Sequence, residues 1–321
     1  MRVAGHRLIF ALFAASTAIA PAYAQYPSRA VRIVVPTSSG AGADLVARLI
    51  AAQLSERYGQ QFVVENRAGA GTLIGTELVA KAQPDGHVLL MAPPAFAINP
   101  ALLPKVPYDP VRDFAPIIYA GSSPLVLVVH PSLPTKSVRE LIAVAKARPG
   151  EIVFASSGTG SITHMSAELF LYMAGIRMLH VPYKGPAPGV IDLIAGRAQM
   201  MITSAPITLP QVRGGRLRAL GVSGVRRTPA APDIPTIAEA GVPGYESHAW
   251  YAVLAPAGTP REIISRLNTD IVSILRTETV RDRLATDGIE VVASSPEELA
   301  AYIRAETAKW GKVVKAAGIQ P

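Results

Sequence analysis

Short apolar runs alternate with longer stretches of helical spacing along most of this 321-residue chain. That alternation narrows the possible folds more than any other feature. Val31–Val35 reads as a buried strand. From Leu45 to Tyr58 apolar residues recur at helical spacing, at Leu45, Leu49 and Ala52 with Val46 and Ile50 alongside. Phe62–Glu65 predicts a second strand, Leu73–Ala82 a second helix, Pro84-Asp85-Gly86 a turn and Val88–Met91 a third strand. A β-α-β-α-β order calls for a parallel sheet with helices on both faces.

A second α/β unit follows. Residues 92–116 carry seven prolines and little periodicity, so no regular element is assigned to them. Leu125–Val129, Ile152–Ala155, Met178–Val181, Gln199–Thr203 and Leu217–Val222 read as strands, with helices at about Thr163–Ala174 and Gly189–Ala195. Ser137-Val138-Arg139-Glu140 has the pattern of a capping box opening a helix to about Ala147. Trp250–Leu254 predicts a further strand. Thr259-Pro260 predicts an N-cap and a first-turn proline before a helix over Arg261–Arg276. Ser295-Pro296-Glu297-Glu298 repeats the capping logic before a last helix to about Lys315. There is no internal repeat and no low-complexity linker, so strands rather than a tether are expected to join the two units.

The N-terminus has the form of an export signal. Arg2 and Arg7 precede an uncharged run of 13 residues, Leu8 to Ala20, and Ala22-Tyr23-Ala24 supplies an A-x-A site. Thirteen residues fall short of the ~20 that span a bilayer. Cleavage after Ala24 is expected, and with it an exported, periplasmic protein. Removing residues 1–24 takes away two arginines and no acids, which lowers the formal charge from +8 to +6. The densest basic group is Arg213, Arg216, Arg218, Arg226 and Arg227. No aromatic residues interleave with it, so it reads as solvated surface and nucleic-acid binding is not expected. The absence of cysteine excludes a disulfide scaffold, a thiolate metal site and a cysteine nucleophile. No histidine pair has the H-x-x-x-H or H-E-x-x-H spacing of a metal site, and no metal or cofactor is expected.

Two loops carry chemistry. Pro36-Thr37-Ser38-Ser39-Gly40-Ala41-Gly42-Ala43-Asp44 lies between a strand and a helix N-terminus, where free N–H groups and the helix dipole favour anions. It reads equally well as a plain βα turn capped by Asp44. Gly40-Ala41-Gly42, with Glu65 21 residues after Asp44, resembles the start of a dinucleotide fingerprint. Leu45 at the third glycine position and the carboxylate of Asp44 argue against it. The second loop, Ser156-Ser157-Gly158-Thr159-Gly160-Ser161-Ile162-Thr163-His164, again joins a strand to a helix through small hydroxyl residues. Ser157 and His164 raise the possibility of a hydrolase, but no G-x-S-x-G elbow occurs, and His164 is better placed as a packing or supporting residue. Two anion-friendly loops without an assembled nucleophile, base or cofactor motif suit binding without turnover. Tyr183, Lys184, Trp250 and Tyr251 are further candidates for lining a cleft.

Several stretches, in order, resemble the Bug-type periplasmic solute-binding proteins, the receptor components of tripartite tricarboxylate transporters. They are Val63-Val64-Glu65-Asn66-Arg67-Ala68-Gly69-Ala70-Gly71, Lys81-Ala82-Gln83-Pro84-Asp85-Gly86, Ala97-Ile98-Asn99-Pro100, Tyr108-Asp109-Pro110 and Asp113-Phe114. Val181-Pro182-Tyr183-Lys184-Gly185, Asp192-Leu193, Pro232-Asp233-Ile234-Pro235-Thr236, Glu239-Ala240-Gly241 and Ala255-Pro256-Ala257-Gly258-Thr259-Pro260 complete the series. Each piece alone is weak; their order and spacing are specific.

The resemblance implies an α/β, two-lobed flytrap fold of mainly parallel sheets flanked by helices. Lobe 1 would take residues 26–124 and 249–321, and lobe 2 residues 125–248. It implies a small carboxylate ligand, such as a di- or tricarboxylate, an acidic amino acid or an aromatic acid. The ligand would sit between Thr37, Ser38, Ser39, Gly40 and Ala41, with Asp44 beside them, and Ser156, Ser157, Thr159 and Gly160, with His164. The loop at Ala95 and the strand end at Thr203 would complete the site. Two positions depart from the family's pattern. Thr37-Ser38-Ser39-Gly40-Ala41 replaces an aromatic and a glycine, and Thr203-Ser204 stands where an Asp is common. Thr203 is therefore expected to disfavour amino acids and favour a neutral or acidic distal group. The implied partner is a membrane permease of the tripartite tricarboxylate type, or alternatively a membrane sensor to which the chain acts as adaptor. A monomer without enzymatic activity is expected.

Overall fold

The computed structural model describes residues 26–319. The export signal expected at residues 1–24 falls outside the described residues. In chain order the elements are β1 (Val31–Val35), α1 (Gly42–Tyr58), β2 (Phe62–Asn66), a 3-10 turn (Ala70–Thr72), α2 (Leu73–Ala80), β3 (Val88–Ala92), α3 (Ala95–Leu102) and β4 (Phe114–Val129). Then come α4 (Val138–Ala147), β5 (Val153–Ser156), α5 (Ile162–Ala174), β6 (Leu179–Pro182), α6 (Pro186–Ile194), β7 (Met200–Ser204), α7 (Ala205–Arg213) and β8 (Arg218–Val222). β9 (His248–Pro256), α8 (Arg261–Leu275), α9 (Glu278–Thr286), β10 (Glu290–Val291) and α10 (Pro296–Ala317) close the chain. No helix among the described residues is long and apolar enough to cross a membrane.

The strands run in the order β2-β1-β3-β9-β4-β7-β5-β6, with β8 and β10 also pairing β4. β4 is the pivot of this order. Phe114–Pro124 pairs antiparallel with β9, whereas Leu125–Val129 pairs with β7 on one side and β8 on the other. The sheet therefore changes partners between Pro124 and Leu125. Each half is covered on both faces, as strand alternation requires. In the first half Ile33, Val35, Leu89 and Val253 face α1 and α8, while Val34, Leu90 and Trp250 face the opposite core with Phe96 and Ile303. In the second half Leu125, Leu127 and Phe154 pack on α4 and α5, and Val126, Val128 and Met201 on α6 and α7. α10 serves both halves: Leu299 and Ile303 join a core of the first, and Trp310, Val313 and Val314 a core of the second.

Ser223 ties the crossing strands together. Its N–H donates to Leu125 O (2.8 Å), its Oγ accepts from Leu125 N (2.7 Å), and its hydroxyl donates to Ser247 O (2.5 Å). Both routes between the halves are thus bonded to one buried side chain.

The strand and helix series appears as the periodicity predicts apart from α3, α7, α9, β10, the first part of β4 and two helix caps. The proline-rich segment contains α3, whose Pro100 removes the N–H that would bond the carbonyl of Phe96. That carbonyl is satisfied by the Tyr108 hydroxyl at 3.0 Å, so the helix survives its proline. α7 and α9 also lay outside the expected elements; α7 holds Pro206 and Pro210, and α9 is short and highly charged. Thr259 does not cap α8, because its hydroxyl donates to Pro256 O at 2.8 Å and Pro260 is the cap residue. Of the two capping boxes, the one at Ser295 is complete. At Ser137 only half is present, since Glu140 accepts the N–H of Lys136 instead (2.6 Å).

Candidate functional site

Strand direction decides where the loops lie. β1 and β3 are parallel to each other, β9 is antiparallel to β3, and β4 is antiparallel to β9. β1 and β3 therefore point the same way as β4, towards the second half. β7 is antiparallel to β4 and β5 is parallel to β7, so both point back towards the first half. The loops leaving the C-terminal ends of β1, β3, β5 and β7 all open onto the boundary between the halves. α1, α3, α5 and α7 begin there, each bringing roughly +0.5 of a charge at its N-terminus. A crevice at the carboxyl ends of strands is where α/β sheets bind ligands.

The first loop is braced from inside. Asp44 is 1 % exposed, and its Oδ2 accepts from Gly40 N (2.9 Å), Arg48 Nε (3.0 Å) and the Ser39 hydroxyl (3.3 Å). Its Oδ1 accepts from Asn66 Nδ2 (2.9 Å), which also donates to Thr37 O (3.1 Å). Burial alone would raise the Asp44 pKa, but the bonds from Arg48, Gly40 and Asn66 outweigh it and bring it down to about 2. The carboxylate is thus a permanent anchor that shapes the loop. Ser38, Ser39 and Gly40 are exposed and Ala41 is half-buried. Ala41 caps α1 without a side-chain bond, which leaves the first-turn N–H groups of Gly42 and Ala43 open. Gly42 is required by a close approach: a Cβ there would lie 2.1 Å from the Tyr251 Oη. Tyr251 is 9 % exposed, and burial, with Tyr119 second, pushes its hydroxyl up to about 12, so it stays protonated.

The second loop is held by hydroxyls and imidazoles. Ser156 is fully buried; its Oγ accepts from Gly158 N (3.1 Å) and lies 2.7 Å from His180 Nε2. Ser157 N and Oγ both meet Thr163 Oγ1, at 2.8 and 2.7 Å. Gly160 N donates to Nδ1 of His164, which is 2 % exposed and faces Glu168 with Nε2 at 3.5 Å. Ser161 caps α5 by accepting from His164 N. Thr159 is exposed, and its N–H, with those of Ile162 and Thr163, meets no protein acceptor among the described residues. Gly160 touches the other half: a Cβ there would lie 2.7 Å from Leu102 Cδ2 at the end of α3.

Ala95, half-buried, opens α3, while Phe96 turns into the core against Tyr108 and Phe114. Asn99 ties this helix to the 3-10 turn through Gly71 O (2.7 Å). Thr203 is fully buried at the end of β7. Its Oγ1, like that of Thr37, has no hydrogen-bond partner among the described residues. The register Ala155↔Met201 brings the second loop out beside Thr203.

The structure places Thr37, Ser38, Ser39, Gly40, Ala41, Ala95, Ser156, Ser157, Thr159, Gly160 and Thr203 at strand ends that face one boundary. Asp44 and His164 stand behind their loops. Ser157 and His164 are not bonded to each other; each has other partners. The buried Ser156 meets a different imidazole, His180, which sequence reasoning missed. Nothing in local spacing links residues 24 apart on neighbouring strands; only the parallel register Phe154↔His180 does so. Asn66 belongs to a recognisable stretch of the sequence, but its bond to Asp44 depends on the fold. Of the other cleft candidates, Trp250 is core, Lys184 is exposed, Tyr183 donates its hydroxyl to Asp192 (2.7 Å) and meets the second loop through its backbone N–H to Ser156 O (3.0 Å), and the Tyr251 side chain reaches the first loop at Gly42. In the basic group, Arg218 is held by Thr135 O (2.6 Å) and Arg227 by Glu239 (3.0 Å).

The geometry agrees with known proteins. Residues 46–319 match the family described as the tripartite tricarboxylate transporter family receptor, TctC. Protein BugT of Bordetella pertussis is 38% identical over 314 residues, covering 97% of this chain and 96% of BugT. The solved structure of R. palustris Rpa4515 with adipate is 42% identical with a TM-score of 0.82, covering 92% of this chain and 99% of that one. MatC from Rhodopseudomonas palustris with bound malate is 32% identical with a TM-score of 0.79, covering 90% and 100%. Two α/β halves meeting at a loop-lined boundary, together with a match over most of the length, place this chain in the TctC family of solute-binding receptors.

Proposed function

We propose that the chain is an exported, periplasmic receptor that captures a small dicarboxylate and hands it to a membrane permease of the tripartite tricarboxylate type. The observation that carries this reading is the convergence of the α1, α3, α5 and α7 N-termini on one boundary. Hydroxyl- and glycine-rich loops there have N–H groups free to meet an anion. A carboxylate bound to several such donors gains about 1.5–3 kcal/mol per charge-assisted bond. The loops at Thr37–Ala41 and Ser156–Gly160 would take one carboxylate, with Ala95 beside them. Residues 26–124 with 249–321 would form one lobe and 125–248 the other, closing on the ligand about the Pro124–Leu125 crossing.

Capture without turnover fits the way each serine and histidine is used. Ser156 is buried, Ser157 is bonded to Thr163, and both imidazoles support loop atoms. The adipate and malate in the related structures make dicarboxylates the first ligands to test. Thr203, buried with an unpartnered hydroxyl, carries no negative charge to balance that of an ammonium. Amine-free diacids should therefore bind more tightly than aspartate or glutamate. Calorimetry of adipate, malate, aspartate and glutamate tests this. A ligand at 100 times its dissociation constant should add ~2.7 kcal/mol of stability. If no carboxylate in the panel raised the melting temperature, the receptor reading would fall. Tighter binding of the amino acids would overturn the role of Thr203.

A further inference from the structure

Two stacked imidazoles lie beneath the second loop. The rings of His164 and His180 are 4.0 Å apart and nearly parallel, and Phe154 continues the stack 4.8 Å beyond His180. Each ring meets a different part of the loop. His164 Nδ1 accepts the Gly160 N–H directly, which fixes its proton on Nε2. His180 acts through Ser156. The Ser156 Oγ already accepts the Gly158 N–H, and among the described residues its own proton has one acceptor within reach, the lone pair of His180 Nε2. The imidazole orients the hydroxyl, and the hydroxyl orients the glycine amide. Through Ser156 and His164 the two rings occupy the Gly158 and Gly160 N–H groups, while those of Thr159, Ile162 and Thr163 meet no protein acceptor among the described residues.

We propose that His180 and His164 are positioning residues for the anion loop, and that proton uptake by His180 reverses its hydrogen bond to Ser156 and loosens the loop's grip. With a proton on Nε2 the ring donates to the Ser156 Oγ instead of accepting from it, so the buried hydroxyl proton loses its acceptor and turns, and the lone pair that meets the Gly158 amide turns with it. The titratable group facing His180 is His164 on α5, with Glu168 behind it; β5 presents only Phe154 and Ser156. Burial, with His164 second, brings the His180 pKa from 6.5 down to about 4, so the ring is neutral from mild acid upwards. The receptor would hold its ligand across the neutral range and release it in strong acid.

This inference rests on the carboxylate reading, so its test has one arm without ligand. In the full chain, nitrogen and proton NMR should show an unprotonated His180 Nε2 at neutral pH. The Gly158 amide should shift with the same midpoint as His180, near pH 4. In the other arm, adipate binding is measured by calorimetry from pH 3.5 to 8 for the unaltered chain, His180→Phe and His180→Gln. Phe keeps the stack but offers no acceptor, so affinity should fall roughly tenfold, the size of one lost buried hydrogen bond. Gln keeps an acceptor that does not titrate. It should retain affinity and lose the part of the acid decline that adipate's own protonation does not supply. A Gly158 amide indifferent to His180 would overturn the proposal. So would unchanged affinity in His180→Phe, or an acid decline in His180→Gln equal to that of the unaltered chain. If adipate did not bind even the unaltered chain, the adipate reading would fall, and the ligand-free resonances would still decide the role of the histidines.

Discussion

At the scale of single residues, the loops owe their shape to side chains that face away from the crevice. Asp44 gathers four donors into a turn that would otherwise have no fixed path. Asp44→Ala should cost ~1–3 kcal/mol in urea denaturation, because Asn66 Nδ2 and Gly40 N lose a buried acceptor. The two perturbed groups act at different ends of the acid range. Asp44 titrates at about 2 when folded and 3.8 when free, so its contribution is full above pH 3.8 and fades as pH falls towards 2. His180 is depressed in the opposite chemical sense: the unfolded chain takes up its proton first, so stability declines as pH falls from 6.5 to about 4. The difference in urea midpoint between the unaltered chain and His180→Gln should therefore open across that window and stay flat above pH 7. The candidate loops could be located from sequence because small hydroxyls and glycines lie between a strand and a helix start in each, although the same pattern also serves a plain turn. Their braces could not, since Asn66 and His180 reach them across neighbouring strands.

At the scale of elements, prolines mark the places where periodicity misled. α3 begins straight after Pro94 and contains Pro100, and a one-dimensional reading sees only a broken pattern. The rescue comes from Tyr108, eight residues downstream, through a bond to the orphaned carbonyl of Phe96. Tyr108→Phe should destabilise the chain by ~1–2 kcal/mol, seen as a lower urea midpoint with an unchanged slope. α1 was legible because its apolar stripe is regular, yet its first residue was not. Gly42 belongs to the helix, and only the neighbouring strand explains why it is glycine: Tyr251 occupies the space a side chain would need. Gly42→Ala should cost ~1–3 kcal/mol by overpacking, despite the better helix propensity of alanine. Adding Tyr251→Phe, which removes the oxygen nearest the new methyl, should recover part of that loss in the same denaturation experiment.

At the scale of the molecule, ligand should draw the halves together, and small-angle scattering should record a smaller radius of gyration with adipate than without it. Shifting a population from 1:99 to 99:1 requires the ligand to prefer the closed form by ~5.5 kcal/mol, which a few charge-assisted bonds can supply. The order of the α/β units was evident from the chain; the reach of β4 was not, because its first part, with Pro116 and Gly121, lacks a plain apolar run. That reach has a thermal consequence. A strand of 16 residues that belongs to both halves, with a helix of 22 residues rooted in both cores, leaves neither half a complete structure of its own. Melting of one half would strip the other of a central strand and of the aromatic plug Trp310. Scanning calorimetry should accordingly give a single endotherm with equal calorimetric and van't Hoff enthalpies, so that two halves proposed to close on a ligand come apart all at once.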